Sequence, residues 1–203
     1  MPDFRWNATT LRDDPFRRFP REARGADLLR QLDDDDSLST LRQTLRRLRN
    51  FGDAPAVAST QRLFISHRQA DATEAQQIAS IAKALSFEFW LDILDPGLAS
   101  LTATSLDDER KALLTAIYIE MALLNCTHLI AVMTTNTRGS MWVPYEFGRV
   151  KGDSLFDSRV SSRLHISQVG LPEYLHLGRK HGSDREVSDW LLTESGKVGV
   201  SYL

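Results

Sequence analysis

The sequence predicts an α/β fold in which helices cover both faces of a parallel sheet, with a helical extension at the N-terminal end. From residue 61 onward, short apolar runs alternate with segments of helical periodicity. This alternation is typical of strand–helix–strand units and a parallel sheet. Residues 1–60 lack the alternation. We therefore expect an N-terminal arm and helical hairpin over residues 1–58, followed by an α/β domain over residues 59–203.

The N-terminal extension is expected to hold two helices after an irregular arm over residues 1–21. The first is Glu22–Leu32, and Asp36 or Ser37 caps the second. The second helix has an apolar face formed by Leu38, Leu41, Leu45, Leu48 and Phe51, and other faces carrying Arg42, Arg46, Arg47 and Arg49. The apolar face has to pack on the main domain, a second protomer or a partner protein. We interpret the arginine face as solvated, with nucleic-acid binding as the less favoured alternative.

Four strands and four helices are expected in the α/β domain. The strands are Leu63–Ser66 (LFIS), Phe87–Leu91 (FEFWL), His128–Met133 (HLIAVM) and a fourth around Leu164–Val169. The helices are Glu74–Leu85, Asp107–Asn125, one that starts near Ser140, and one over about Asp184–Thr193. Ser183 and Glu186 form a capping-box pattern at the start of the last helix.

Composition narrows the class of protein. The chain has 203 residues, of which 42% are hydrophobic and 26% charged, as in ordinary globular proteins. A net charge of −2 gives no support for broad nucleic-acid binding or for attachment to an acidic membrane surface. No apolar run approaches the roughly 20 residues that span a bilayer, and the N-terminus lacks a signal-peptide core. Cys126 is the single cysteine and is expected to be buried, so the sequence indicates a reduced, cytoplasmic protein.

Candidate site residues follow the predicted strands, because ligands of open α/β sheets bind beyond the carboxyl ends of the strands. They are Ser66, His67 and Arg68 after the first strand, Asp92 and Asp95 after the second, and Trp142 and Glu146 after the third. Trp142 and Glu146 are four residues apart, so they share one face of a helix that Ser140 can cap. The sequence has no glycine-rich phosphate-binding pattern and no metal-binding histidine spacing, so neither a cofactor nor a metal site is expected.

Four blocks in order carry a family resemblance: RLFISHRQAD, FWLDILDPG, LLNCTHLIAVMT and SMWVPYEFG. Together they resemble the bacterial branch of the TIR (Toll/interleukin-1 receptor) domain family over about residues 60–195. The resemblance implies a flavodoxin-like parallel sheet and the NAD glycohydrolase activity that many members possess. It places the catalytic glutamate in a W-x-x-x-E pattern, which Trp142 and Glu146 match.

The resemblance also implies further site residues and a partner. By position Ser66, His67 and Arg68 resemble pocket residues. The segment with Asp95, Pro96, Gly97 and Leu98 resembles the self-association loop of the family. The chain is therefore expected to form a homo-oligomer through its TIR domains, to use NAD as substrate and to act in a bacterial immune or effector system.

One carboxylate suffices for this reaction. Nicotinamide leaves NAD as a neutral molecule from a cationic pyridinium, so no second carboxylate is needed to protonate the leaving group. A glutamate bonded to the ribose hydroxyls can stabilise the oxocarbenium-like charge. Trp142 can stack on adenine or nicotinamide, and Arg68 can bind the diphosphate as a forked donor. Whether the product is linear or cyclised ADP-ribose is open.

Simpler interpretations stand beside these. Glu146 can be an exposed acid at a helix N-terminus, Trp142 a core residue, His67 and Arg68 surface-loop residues and Asp92 a cap of the following loop. Glu120 is expected to reach an edge of its helix, with partial burial beside a partner as the alternative. The alternative function is a non-catalytic TIR–TIR signalling scaffold that uses the segment from Asp95 to Ala99, and a nucleotide-sensing or transferase domain is a third. The W-x-x-x-E glutamate favours the enzyme.

Overall fold

The computed structural model describes residues 28, 32, 37–50, 61–137, 139–150, 159–166 and 171–195. The chain divides into two compact units. One comprises Met1–Asp3, Pro55–Leu91 and Cys126–Leu203, and the other Phe4–Ala54 and Asp92–Asn125. The division of the chain into domains 1–58 and 59–203 stays a prediction.

The first unit contains a five-stranded parallel sheet with the strand order β2-β1-β3-β4-β5. Its strands are β1 Arg62–Ser66, β2 Glu88–Trp90, β3 His128–Met133, β4 Val160–Leu164 and β5 Arg179–His181. This order is that of flavodoxin-like folds, so the predicted fold class is confirmed. In the register Ser66 pairs with Ala131, so the carboxyl end of β1 lies beside the last half of β3.

The α-helices precede, separate and follow the strands along the chain. They are α1 Leu38–Arg49, α2 Ala72–Ala84, α3 Pro96–Thr102, α4 Asp108–Asn125, α5 Trp142–Arg149 and α6 Asp184–Ser195. The first unit holds α2, α5 and α6, and the second holds α1, α3 and α4. The β1–α2–β2 and β3–α5–β4 connections step in opposite directions along the sheet. Right-handed crossovers therefore place α2 and α5 on opposite faces, and α6 packs beside α2.

The sheet core is formed by the apolar runs that predicted the central strands. Leu63, Ile65 and Ile130 are fully buried, and Phe64 stacks on Trp90 with ring centroids 4.7 Å apart. Burial of such side chains stabilises each strand by about 1.5–3 kcal/mol per residue. These strands had the clearest sequence signal because both faces of a parallel sheet are covered.

A close approach between α5 and the sheet depends on Gly178. A Cβ atom at this position would lie 2.6 Å from the carbonyl oxygen of Val160 and 2.9 Å from Cζ of Phe147. Neither distance is compatible with a side chain, and the nearer atom belongs to the backbone. Glycine therefore sets how closely the chain entering β5 approaches β4 and α5.

In the second unit, α1 packs against α4. Its N-cap is Ser37, whose Oγ accepts the backbone N–H of Thr40 at 3.4 Å, as predicted. Leu41 and Leu48 are fully buried, so the predicted apolar face of α1 lies against a helix of its own unit. Phe51 lies outside the described residues.

The charged side of α1 makes an ion pair with α4. Arg42 forms an ion pair with Glu109 on α4, and both side chains are more than half exposed. Such an exposed ion pair contributes at most about 1 kcal/mol to the stability of the fold.

Most of the predicted helix Glu22–Leu32 lies outside the described residues.

Three elements differ from the prediction. The fourth strand is Val160–Leu164 rather than residues 164–169, because its buried Ser161 and Ser162 interrupt the apolar run that sequence reading requires. Their hydroxyls donate to the backbone carbonyls of Leu129 and Arg179, which makes burial tolerable. The sequence did not predict the edge strand β5, whose residues are Arg-Lys-His. Nor did it predict α3, which occupies the segment expected to be a loop.

The second half of α4 is buried on every side, from Ile117 to Asn125. Glu120 is only 2% exposed, so the expectation that it reaches an edge is wrong. Cys126 is buried as predicted, and burial raises the pKa of its thiol far above the usual range. Among the described helices, none is long and apolar enough to cross a membrane.

Candidate active site

Two predicted site residues meet at the carboxyl edge of the sheet. Ser66 ends β1, and its Oγ donates a hydrogen bond of 2.5 Å to Oε2 of Glu146 on α5. Ser66 is fully buried, and Glu146 is 6% exposed. A serine hydroxyl has a single proton, and here a carboxylate oxygen accepts it. The bond holds the Glu146 carboxylate in one orientation, although the two residues are 80 positions apart in sequence.

The start of α5 explains why Glu146 reaches the sheet. The N-cap residue of α5 is Met141 rather than the predicted Ser140, and Oγ of Ser140 accepts the backbone N–H of Val143 at 3.3 Å. Pro144 lies in the first turn, where a missing N–H costs no helical hydrogen bond. The helix packs against β1 and β3. Glu146 therefore points into the interior, and its interpretation as an exposed helix-terminal acid is wrong.

Trp142 lies one helical turn before Glu146 and differs from it in depth. Its side chain is 43% exposed, and its ring meets that of Tyr145 edge-on at a centroid distance of 5.9 Å. The preceding Met141 is also strongly exposed. The interpretation of Trp142 as a core residue is therefore wrong. The start of α5 therefore carries an exposed aromatic ring, Trp142, one turn before a buried carboxylate, Glu146.

Arg68 and His67 follow Ser66 in the loop after β1. Arg68 is exposed, and its Nη1 donates to the backbone oxygen of Asn136 at 2.5 Å. This bond joins the segment after β1 to the segment after β3. His67 is half-buried. The assignment of both residues to a substrate pocket stays a prediction.

Asp71 is a site-region residue that sequence reasoning missed. Its carboxylate is 1% exposed. Oδ1 accepts from the Thr134 hydroxyl at 2.8 Å and from the Asn136 amide at 2.7 Å, and the Thr137 hydroxyl lies 3.5 Å from Oδ2. The residue stands in the RLFISHRQAD block, but nothing in that block indicates a contact with a segment more than 60 residues away.

The other predicted site residues belong to the second unit. Asp92 accepts the backbone N–H of Ile93 at 2.7 Å, which fits its interpretation as a local cap. Oδ1 of Asp95 accepts the N–H groups of Gly97 and Leu98 at 2.6 and 3.3 Å. The expected self-association loop is thus the start of α3, with Asp95 as N-cap and Pro96 as first helical residue. Its role in association stays a prediction.

The chemistry available at the sheet edge includes the buried carboxylate of Glu146, which accepts from the Ser66 hydroxyl, and a second buried carboxylate, that of Asp71, in the segment after β1. Within the described part of the chain, no group of three or more histidine, cysteine, aspartate or glutamate side chains is placed to hold a metal ion. His165 follows β4, and burial lowers the pKa of its imidazole, with the nearby Arg163 acting in the same direction.

Comparisons of the chain with models of protein families, with curated proteins and with solved structures give no match. The functional interpretation therefore depends on the residues of the site and on the sequence resemblance to TIR domains.

Proposed function

We propose that this chain is an NAD glycohydrolase of the TIR type, with Glu146 as its catalytic carboxylate. The observation that carries the proposal is the buried Glu146 carboxylate, held by Ser66 at the carboxyl edge of the sheet. Ligands of open α/β sheets bind at this edge. The W-x-x-x-E pattern and the burial of Glu146 are independent observations that point to the same residue.

The reaction breaks the bond between ribose C1′ and the pyridinium nitrogen. The bonding electron pair moves to that nitrogen, so nicotinamide leaves as a neutral molecule and positive charge develops on the ribose. Water then adds to C1′ and loses a proton, which gives ADP-ribose. A fixed carboxylate in a site of low dielectric constant stabilises the developing cation more strongly than one in water.

Two exposed side chains support recognition of the substrate. The open face of Trp142 suits stacking on a planar base, since its ring is not fully used in packing. Arg68 carries a forked donor that suits the diphosphate, although its Nη1 already donates to Asn136. On substrate binding, Arg68 would bind the diphosphate either in addition to Asn136 or in its place.

The wider setting rests on the resemblance. We infer a homo-oligomer that associates through the TIR domain, with Asp95, Pro96, Gly97 and Leu98 in the contact, and a role in a bacterial immune or effector system in the cytoplasm. At the start of α3, Pro96 is exposed and Leu98 half-buried, which supports the proposed contact, whereas Asp95 and Gly97 are buried.

The test is to incubate the purified full-length protein with NAD and to measure free nicotinamide and the ribosyl product. We expect release by the wild type and loss of about a hundredfold or more in Glu146→Gln, which keeps the volume but removes the charge. Glu173→Gln is the control, because Glu173 is exposed on a turn of the same unit. If the wild type releases no nicotinamide at any concentration, the proposal fails and the scaffold function gains support.

A further inference from the structure

Asp71 is placed as the N-cap of α2, yet its side chain makes no capping hydrogen bond. A capping aspartate typically stabilises the start of its helix by accepting a backbone N–H. The carboxylate turns instead to the segment that follows β3, where it accepts from Thr134 and Asn136. The Asp71 side chain therefore does not cap its own helix, but links the segment after β1 to the segment after β3.

We propose that Asp71 is a positioning residue, which fixes the turn over residues 134–137 and so shapes the substrate side of the site. The proposal rests on the proposed NAD cleavage. It assigns Asp71 no contact with substrate and no part in bond breaking.

The turn that Asp71 holds is tied to the site at two points. The backbone oxygen of Asn136 accepts from Arg68, whose guanidinium we assign to the diphosphate. The same segment continues through Ser140 into α5, which carries Trp142 and Glu146. Movement of the turn would therefore displace both the anion-binding side chain and the start of the helix.

The cost of burying Asp71 supports a positional role. All its described donors are neutral hydroxyl or amide groups, and among the described residues no cation forms an ion pair with it. A buried carboxylate without a cationic partner is an expensive way to stabilise a fold. It is an effective way to gather several donors on one group, because both oxygens accept hydrogen bonds.

Internal bonds of the turn add to this arrangement. The hydroxyl of Thr137 accepts the backbone N–H of Thr134 at 2.9 Å and lies 3.2 Å from the carbonyl oxygen of Val132. The hydroxyl of Thr134 also accepts the N–H of Asn136 at 2.9 Å. Because Asp71 accepts from two side chains of this turn and lies 3.5 Å from a third, its removal loosens the network as a whole.

The experiment compares Asp71→Ala, Asp71→Asn and Thr134→Val in the full-length protein by two readouts. The first is amide hydrogen exchange over residues 134–141, which needs no substrate. The second is steady-state kinetics with NAD. For Asp71→Ala we expect about tenfold faster exchange and about a tenfold higher KM, with kcat changed less than about threefold, because Glu146 keeps its bond to Ser66.

Conservative substitution separates positioning from general stability. Asp71→Asn keeps an oxygen that can accept from Thr134 and Asn136, so it should restore most of the exchange protection and of the wild-type KM. Thr134→Val removes one donor and should show part of the effect, and its combination with Asp71→Ala should add little. Asp189→Ala is the matched control, since Asp189 is an exposed aspartate on α6.

Each result decides the proposal. Unchanged exchange over residues 134–141 in Asp71→Ala, or a fall in kcat at constant KM, overturns it. If Asp71→Ala does not fold, Thr134→Val gives the same comparison with a milder change. If the wild type releases no nicotinamide, the proposed function fails, while the exchange readout still decides whether Asp71 holds the turn.

Discussion

Glu146 and Glu120 are both almost fully buried, but they lie in different surroundings. Glu146 is on the short helix α5, bonded to the last residue of β1 and one turn from a ring open to solvent. Glu120 is in the middle of the 18-residue α4, where its chain neighbours Ile119 and Met121 are also buried.

Burial by itself does not distinguish the two carboxylates. What distinguishes Glu146 is its position at a strand end, where the fold places ligands, together with an accessible aromatic neighbour. Glu120 instead lies within a helix, in the buried second half of α4. We therefore expect the two residues to respond to substitution in opposite ways, one in activity and the other in stability.

Glu146→Asp is expected to have the largest effect. It keeps the charge but shortens the side chain, so the carboxylate moves by about one bond length from both Ser66 and the ribose. Displacement by about 1 Å can cost on the order of a hundredfold in rate. We expect kcat/KM for NAD to fall by that factor with an unchanged melting temperature, and Glu173→Asp to have no effect. Near-normal turnover in a folded Glu146→Asp protein would contradict a positional requirement.

Glu120→Ala tests the other member of the pair. Removing a buried side chain of this size leaves a cavity, so we expect a loss of about 2–3 kcal/mol in the free energy of unfolding. Urea denaturation measures this loss, and nicotinamide release per folded molecule should stay at the wild-type value. Loss of activity at unchanged stability would instead place Glu120 in the functional site and remove the contrast between the two residues.

Two buried serines sharpen the comparison further. Ser66→Ala removes the donor to Oε2 of Glu146, and we expect kcat to fall about tenfold, as for loss of a hydrogen bond to a charged group. Ser161→Ala is the matched change in β4, where the hydroxyl donates to the Leu129 carbonyl. It should leave kcat unchanged. Equal effects of the two substitutions would show that any buried serine of the sheet affects turnover.

The smallest expected effect concerns pH. Burial lowers the pKa of His181, and the nearby Arg179 and Arg163 act in the same direction against Glu186. The stability from its neutral ring is present above the unfolded pKa of about 6.5 and is lost as pH falls toward the lower folded pKa. His181→Phe keeps a ring beside Trp190 and should weaken this acid sensitivity in thermal melts. The pH profile of NAD cleavage per folded molecule should not change, and a shifted profile would link His181 to the site.

The central part of the fold could be read from the sequence because local and tertiary signals agree there. β3 has the predicted bounds and is buried along its whole length. The strands toward one edge of the sheet, β4 and β5, were predicted less well. β4 buries two serines whose partners are backbone carbonyls of neighbouring strands, and β5 has three polar residues whose strand form depends on pairing with β4. The start of α3 carried a usable signal, since aspartate before proline is typical of a helix N-terminus.

The candidate site, like the fold, could be predicted only in part. Glu146 and Ser66 were predicted because each follows a strand that the sequence marks clearly. Asp71 was missed because its partners come from a turn after another strand, and only the folded chain brings the two segments together. The depth of Trp142 and Glu146 could not be predicted either, since a four-residue spacing fixes the direction of a side chain but not what covers it.

Substitutions at Gly178 would abolish activity for a different reason than substitutions at Glu146. Any side chain there would push against the Val160 carbonyl and the Phe147 ring, which belongs to the helix that carries Glu146. In a saturation library selected for activity, position 178 should tolerate no replacement, as should position 146. The two kinds of intolerance differ in origin, because variants at 178 should be lost from the folded population whereas those at 146 should remain in it. A parallel selection for abundance would separate them.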